Sequence, residues 1–453
     1  MSLLLGIDLG TSYFKVGLFD EAGALRGLGR VAVEKDTPAP GRSELAVERF
    51  WELLRRGLAA ALVEAGARAG DISALSYSSQ ANSFVLLDRA AAPLTPLVLW
   101  TDERGEPLAP EAVAFARREV FRRTVGFEGL SGGFAVAKWR WFQTQHADMW
   151  GRAHHVMTMA DYFAFALTGE RVGDASTAAF LGLYDLEKKQ WWPEALAAFR
   201  IDAALLSKPL PPGTPVGRTL GWTTDLLGLP AGVRFAVGGL DHHVAALGSG
   251  LGKLADVSIS TGTVLAAMTL VDSPTPCGGC YHGPHFDGRR FFRLAFDPAG
   301  AGQLEDYQRR CAAEFTLEEL LAQAATVQPG AGAARKSAGG GHAGAVRHLL
   351  EKIAATHREL IHRVAGGATV ANIVATGGGA RSALWLQIKA DMFGVAIMTP
   401  ASPERACLGA AMLASVAAGW QRNSAAAVDA MLLPGRRFEP NPENTAFYRN
   451  WSP

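Results

Sequence analysis

A chain of 453 residues is longer than a single hydrophobic core organises well, so two domains are expected. Hydrophobic residues make up 49% and charged residues 19%, enough apolar material for sizeable cores, which excludes an intrinsically disordered chain. Lys plus Arg number 44 against 43 Asp plus Glu, a net charge of +1, so no global basic field argues for nucleic acid or an anionic membrane, and a small neutral substrate suits the balance.

The first strand is read from Leu3, Leu5 and Ile7, which alternate up to Asp8-Leu9-Gly10-Thr11-Ser12; Phe14, Val16 and Leu18 then resume the alternation. This is strand, tight turn, strand. In the turn, backbone N–H groups and the Thr11 and Ser12 hydroxyls can cradle phosphate oxygens, and Asp8 at the strand end can hold a hydrated magnesium ion. An ordinary hairpin with local turn bonds accounts for the same residues. The Leu3-Leu4-Leu5 start reaches Asp8 too soon for a signal sequence, no apolar run approaches membrane-spanning length, and four cysteines make no disulfide framework. A soluble protein of the reducing cytoplasm is expected.

A strand over 28–33 and an amphipathic helix over 46–65 follow. Strands over 72–77, 84–87 and 97–100 then lead into two polar sets, Gln80 with Asn82, and Trp100-Thr101-Asp102-Glu103-Arg104. Polar side chains at strand ends line the ligand crevice of open α/β sheets. Gln80, Asn82, Asp102 and Arg104 can therefore bind a polyhydroxylated ligand beside the apolar face of Trp100. The plain alternative is a polar loop in which Asp102 and Arg104 pair with each other. From 107 to 167 the pattern is mostly helical, and the adjacent His154 and His155 are read as structural.

A buried strand over 234–237 breaks at Gly238-Gly239 and ends in Asp241, with a helical pattern starting at once. Asp241 reads either as a helix N-cap or as a general base in a cleft. Past the middle, Ser258 to Leu265 repeat the strand, glycine turn, strand pattern of the N-terminus, which suggests two related halves facing one nucleotide. Cys277-Gly278-Gly279-Cys280 has redox or half-zinc spacing but lacks a second pair, and a glycine hairpin turn explains it. Residues 329–346 read as a mobile loop whose distinctive part is Arg335-Lys336-Ser337; a long helix over 345–364, a strand over 369–376 and a helix over 381–393 come after it. Between these last two, Gly377-Gly378-Gly379 lets backbone lie flat against a ring such as a purine.

Taken together and in order, Asp8-Leu9-Gly10-Thr11-Ser12, Gln80, Trp100-x-Asp102-x-Arg104, Lys138-Trp139-x-Trp141-Phe142, Asp241, Ser260-Thr261-Gly262-Thr263 and Gly377-Gly378-Gly379-Ala380-Arg381-Ser382 with Glu404 downstream resemble the FGGY carbohydrate kinases of the actin-like ATPase superfamily. The resemblance spans nearly the whole chain. It implies an α/β fold of two actin-like (ribonuclease H-like) domains, 1–245 and 246–453, each a mixed sheet flanked by helices, with ATP and sugar in an interdomain cleft. It makes Asp241 the base and Asp8 the magnesium-associated carboxylate. Gly10, Thr11, Ser12 and Lys15 would serve one phosphate loop, Gly262 and Thr263 the other, and Gly378 and Gly379 would lie near adenine. Sugar contacts would come from Gln80, Asn82, Trp100, Asp102, Arg104 and Asp241. ATP, Mg2+ and a sugar are the implied ligands, without nucleic acid or membrane, and a homodimer is the implied assembly.

The chain departs from the family pattern in three places. Ala81-Asn82 stand where many ketose-specific members have Met-His, Ala135 stands where Pro, Ser or Thr is usual, and the usual Gly-Glu-Arg and Asp-Pro stretch is not recognisable over 328–346, which shortens the C-terminal domain. The leading expectation is ATP-dependent phosphorylation of a ketose such as D-xylulose or another pentulose, with a polyol or hexulose as variants. The competing readings are a sugar- and nucleotide-binding sensor, against which Asp241 argues, and an actin-like ATPase module, which has no sugar for Gln80 or Trp100 to hold.

Overall fold

The computed structural model describes residues 2–262, 264–298, 300, 302–332, 341–433 and 435–452. Thr263 and the Arg335-Lys336-Ser337 segment lie outside the described residues. Two compact units emerge, one formed by 1–248, 271–292 and 404–433, the other by 249–270, 293–403 and 434–453.

In the first unit the alternating apolar residues at the N-terminus form the expected hairpin, Leu3–Leu9 antiparallel to Tyr13–Phe19, and Leu3–Leu9 runs parallel to Ile72–Ser79 on its other side. The main sheet has the order Pro215–Arg218, Arg234–Ala236, Ile72–Ser79, Leu3–Leu9, Tyr13–Phe19, Leu25–Ala32, and Gly239–Leu240 also pairs in parallel with Ile72–Ser79. Such mixed sheets bury both faces under helices. On one face lies the helix Val47–Ala65, whose buried residues Val47, Phe50, Trp51, Leu54, Leu58 and Ala61 recur at helical spacing, and which stops at Gly66 in the left-handed conformation.

The other face receives the small-residue helix Arg405–Ala418, and here close approach explains the composition. A Cβ added to Gly6 of the first strand would stand 1.9 Å from the Cys407 carbonyl oxygen, and one added to Gly409 would stand 2.0 Å from that of Val244. At Gly6 helix and sheet backbone meet, and at Gly409 two helix backbones meet, with no side chain between them, which only glycine allows.

A second sheet of the same unit joins Glu44–Leu45, Leu97–Val98, Phe84–Leu87 and His155–Thr158 in that order. Its last strand corrects the mostly helical expectation for 107–167: His155 opens a strand, because Val156, Met157 and Thr158 pair with Leu86, Val85 and Phe84. In the second unit the hairpin motif recurs. Val257–Thr261 is antiparallel to Leu265–Val271 and parallel to Asn372–Thr376, which continues into Ala396–Thr399 and Arg436–Phe438. The long helix His342–Ala365 and the helix Ala383–Phe393 pack beside one another in that unit.

Candidate active site

In the first unit, register decides what surrounds Asp8. The antiparallel pairing sets Asp8 opposite Lys15, and the parallel pairing sets it opposite Ser78. The Ser78 hydroxyl donates to Asp8 Oδ1 at 3.0 Å, and Lys15 Nζ lies 3.8 Å from Asp8 Oδ2 while reaching Glu404 Oε2 at 2.9 Å. Burial pushes the Asp8 carboxyl up from 3.8 to about 6, the Lys15 ammonium pulls the other way, and the Asp241 charge pushes it further up. The Asp8 carboxyl thus senses the Asp241 charge at one sheet edge. The topology explains why: Leu3–Leu9 and Gly239–Leu240 each run parallel to Ile72–Ser79, so Gly10, Gln80 and Asp241 follow three C-terminal ends of the same sheet.

Asp241 does not cap its helix. It is the first residue of the helix Asp241–Leu247, Leu240 holds the cap position, and the Asp241 carboxylate accepts from its neighbour, the His242 N–H, at 2.7 Å. The cap reading is therefore replaced by a partly exposed carboxylate at a helix start. The backbone just before it is anchored from behind: Leu240 N–H donates to Ser176 Oγ at 2.9 Å, Ser176 Oγ donates to Asp174 Oδ1 at 2.6 Å, and the Tyr77 hydroxyl donates to Asp174 Oδ2 at 3.3 Å. Asp174 also caps the short helix Ala175–Ala178 through the Thr177 N–H. Its carboxyl is raised by burial. Sequence patterning missed Asp174 and Ser176, although an Asp three residues before a Thr-bearing helix turn is a capping signal.

The turn after Asp8 carries Gly10, Thr11 and Ser12, of which Ser12 is exposed and the other two partly so. Trp100, 37% exposed, donates from Nε1 to Thr11 Oγ1 at 2.9 Å, which ties the tryptophan face to the turn. Its backbone is fixed as well, for Lys138 Nζ donates to the Leu99 and Trp100 carbonyls at 2.8 and 3.0 Å. Burial lowers Lys138 from 10.5 to about 7, with Asp102 opposing that fall.

Asp102 and Arg104 pair as the plain reading expected. Arg104 forks onto both Asp102 oxygens, its Nε at 2.7 Å and Nη2 at 2.8 Å, while the Ser43 and Arg104 N–H groups donate at 2.8 and 2.9 Å, and Arg104 also meets Glu44. Asp102 is fully enclosed; burial works against its charge, yet these donors hold it below the usual carboxylate range. Gln80, also buried, donates to the Gly10 carbonyl at 3.2 Å and accepts from Ser83 at 3.2 Å. Asn82 adopts φ 62°, a left-handed conformation that Asn tolerates, and accepts the Ala135 N–H at 2.9 Å, capping the next helix from outside. The two histidines after Asp241 diverge. His243 is buried, stacked on Phe286 at 3.8 Å and bonded to His285 at 2.9 Å, whereas His242 is partly exposed. Cys277 and Cys280 turn as the glycine hairpin predicts and are also joined as a disulfide.

In the second unit Thr261, just before Gly262, lies against Gly377 and Gly379. Gly377 and Gly378 are exposed, and a Cβ on Gly378 would meet nothing within 4 Å. Bare backbone is thus presented there.

Residues 3–248 match the N-terminal domain model of the FGGY family of carbohydrate kinases and residues 214–418 match its C-terminal domain model. The chain belongs to the FGGY family of carbohydrate kinases. It is 28% identical over 479 residues to the xylulose kinase of Lactococcus lactis subsp. lactis (strain IL1403), covering 99% of this chain and 94% of that one. It is also 25% identical over 503 residues to the autoinducer-2 kinase of Escherichia coli (strain K12), covering 99% and 92%. The crystal structure of xylulose kinase from Rhodospirillum rubrum superposes with a TM-score of 0.87 at 24% identity, over 99% of this chain and 96% of that one. The FGGY kinase fold, two sheet-rich actin-like domains, is therefore the fold of this protein. Among the described residues no helix is long and apolar enough to cross a membrane.

Proposed function

We propose that this carbohydrate kinase transfers the terminal phosphoryl group of ATP to a hydroxyl of a small neutral ketose such as D-xylulose or another pentulose, with Asp241 as general base. The observation that carries the reading is that Asp8 and Asp241 stand at the ends of two strands that both run parallel to Ile72–Ser79, close enough for the Asp241 charge to raise the Asp8 carboxyl. Asp241 is partly exposed, so a hydroxyl can reach it; its carboxylate takes the hydroxyl proton as the oxygen bonds to phosphorus and the bond to ADP breaks. A neighbouring buried carboxylate with different surroundings separates the roles of the two acids.

Asp8 suits a magnesium ion. Among the described residues no cluster of three or more His, Cys, Asp or Glu forms a protein cage, and magnesium asks for none, keeping most of its waters and needing one or two carboxylates plus phosphate oxygens. When bound it neutralises charge on those oxygens. Gly10, Thr11 and Ser12, with Lys15 behind them, offer donors to phosphate, as does the turn at Gly262; exposed backbone at Gly378 and the buried Gly379 support an adenine site. On the sugar side, Trp100 supplies an exposed apolar face and Asp241 an acceptor. Gln80, Asn82, Asp102 and Arg104 support the sugar site from behind, each holding the loop that another contact uses. Pentulose as substrate is favoured by the names of the xylulose kinase relatives, and the autoinducer-2 kinase among the relatives keeps the panel wider than pentuloses.

The test is magnesium-dependent ADP release with ATP against ketopentoses, ketohexoses, aldonates and polyols, run on the protein and on Asp241→Asn. A pentulose that stimulates turnover lost in the variant, with ATP binding retained, establishes the reading. Sugar and ATP binding without stimulated turnover overturns it.

A further inference from the structure

Behind the glycine turns of the second unit lies a cation that the proposed chemistry does not use. Lys389, on the helix Ala383–Phe393, is fully buried, and its Nζ donates to Thr261 Oγ1. The same ammonium sits 4.8 Å from the centroid of the Trp385 ring. Among the described residues no carboxylate pairs with it.

Thr261 in turn governs two turns at once. It ends the strand Val257–Thr261 and leads directly into Gly262. A Cβ on Gly377 would lie 2.6 Å from the Thr261 carbonyl oxygen, and a Cβ on Gly379 would lie 2.6 Å from Thr261 Cγ2 and 3.0 Å from Trp385 Cζ3. The threonine side chain is therefore wedged against the triple-glycine turn, and Lys389 fixes its rotamer by holding the hydroxyl. Apolar side chains of lysine length would fill this space without the cost of burying an amine.

We propose that Lys389 is a positioning residue for the nucleotide, holding Thr261 and through it the spacing of the Gly262 and Gly377–Gly379 turns, and placing its charge behind the polyphosphate. This rests on the assignment of these turns to ATP. Burial lowers Lys389 from 10.5 to about 7, so near neutral pH it is only part-protonated, and an approaching polyphosphate raises its proton affinity. Nucleotide binding then takes up a fraction of a proton.

The other ionisable groups on the neighbouring elements have partners of their own. From the long helix, His357 is kept neutral by burial and by Lys389 itself while its Nε2 donates to the Ser260 carbonyl at 3.1 Å, and Arg347 and Glu351 pair with each other at 2.8 Å. From the C-terminal helix Pro442–Arg449, the Tyr448 hydroxyl donates to Glu351 at 2.7 Å. On the lysine's own helix, Asp391 is held by Gln387, Asn441 and Asn444.

Two variants test the proposal, Lys389→Met and Thr261→Val, by ATP-dependent kinetics and by ATP calorimetry in two buffers of different ionisation enthalpy. Lys389→Met is expected to raise KM for ATP by about tenfold, leave KM for the sugar within about twofold, and abolish the proton uptake seen in the native protein. Thr261→Val is expected to raise KM for ATP while keeping the uptake. Unchanged KM for ATP in Lys389→Met, or no proton uptake by the native protein, overturns the proposal; if that variant does not fold, unchanged KM for ATP in Thr261→Val does the same. Native protein that binds ATP with proton uptake yet phosphorylates no sugar supports the role of Lys389 while refuting the proposed reaction.

Discussion

Replacing Asp8 by asparagine should make the protein more stable and inactive at once. Burial raises the Asp8 carboxyl from 3.8 to about 6 despite Lys15, so the folded protein holds that proton more tightly than the unfolded chain. The sign follows: below the unfolded value both states are protonated and no cost arises; between 3.8 and about 6 the unfolded chain ionises while the folded protein keeps its proton, so folded stability falls, and above about 6 the full cost of the buried charge is present. Each pKa unit is worth about 1.4 kcal/mol, so the full cost above the window is about 3 kcal/mol. Asparagine mimics the protonated acid: its side-chain oxygen still accepts from Ser78, and Lys15 keeps Glu404 at 2.9 Å. Denaturation of Asp8→Asn and the parent, followed by tryptophan fluorescence without nucleotide, should coincide near pH 4 and diverge toward pH 8 by up to about 3 kcal/mol in favour of the variant. Kinase turnover should be lost throughout. A variant less stable than the parent by the same amount at every pH would refute the reasoning, since it would mean that the Asp8 charge is stabilised by its ion pair rather than penalised by burial.

Two further outcomes follow from the supports of the site. Ser176→Ala leaves the Leu240 N–H without its acceptor just before Asp241; kcat should fall about tenfold or more with KM for ATP little changed, measured by steady-state kinetics. Lys138→Met removes a buried amine that burial lowers to about 7, so the native protein binds fewer protons there than the unfolded chain does; native stability relative to the variant should climb from pH 7 to about pH 10, read by denaturation across that range.

The parts legible in the sequence were those governed by short-range periodicity. The alternation of Leu3, Leu5 and Ile7 against Phe14, Val16 and Leu18 determines a hairpin, and the same pattern at Val257–Val271 determines its counterpart. Asp241 at the close of a glycine-broken strand was legible too, and so was the pairing of Asp102 with Arg104, two residues apart. Other features depend on partners distant in the chain. His155–Thr158 is a strand because Phe84–Leu87 lies beside it, and four residues carry too little periodicity to reveal that. Asn82 faces Ala135 across 53 positions, and Lys389 meets Thr261 across 128. Buried polar residues inside apolar helices look like noise until the tertiary contact that justifies them is known.

The repeated hairpin gives these buried charges a common logic. Asp8-Leu9-Gly10 in the first unit corresponds to Ser260-Thr261-Gly262 in the second, and the parallel neighbours correspond as well, Ser78 opposite Asp8 and Thr376 opposite Ser260. Where the first unit has a carboxylate before its glycine turn, the second has a serine, and the charge buried nearby is the Lys389 ammonium. Each is costly in isolation, one acid pushed up to about 6 and one amine pushed down to about 7. Under the proposed reaction both costs fall when ligand binds, because a divalent cation favours the ionised acid and a polyphosphate favours the protonated amine. One repeated strand-turn-strand pattern thus supports opposite electrostatics in its two copies, and under the proposed reaction the free protein stores in both turns a penalty that nucleotide and metal relieve together. Binding of the two should therefore be favoured by more than their contacts alone supply, and the Asp8→Asn and Lys389→Met variants should each lose that share of affinity while gaining stability in the unliganded state.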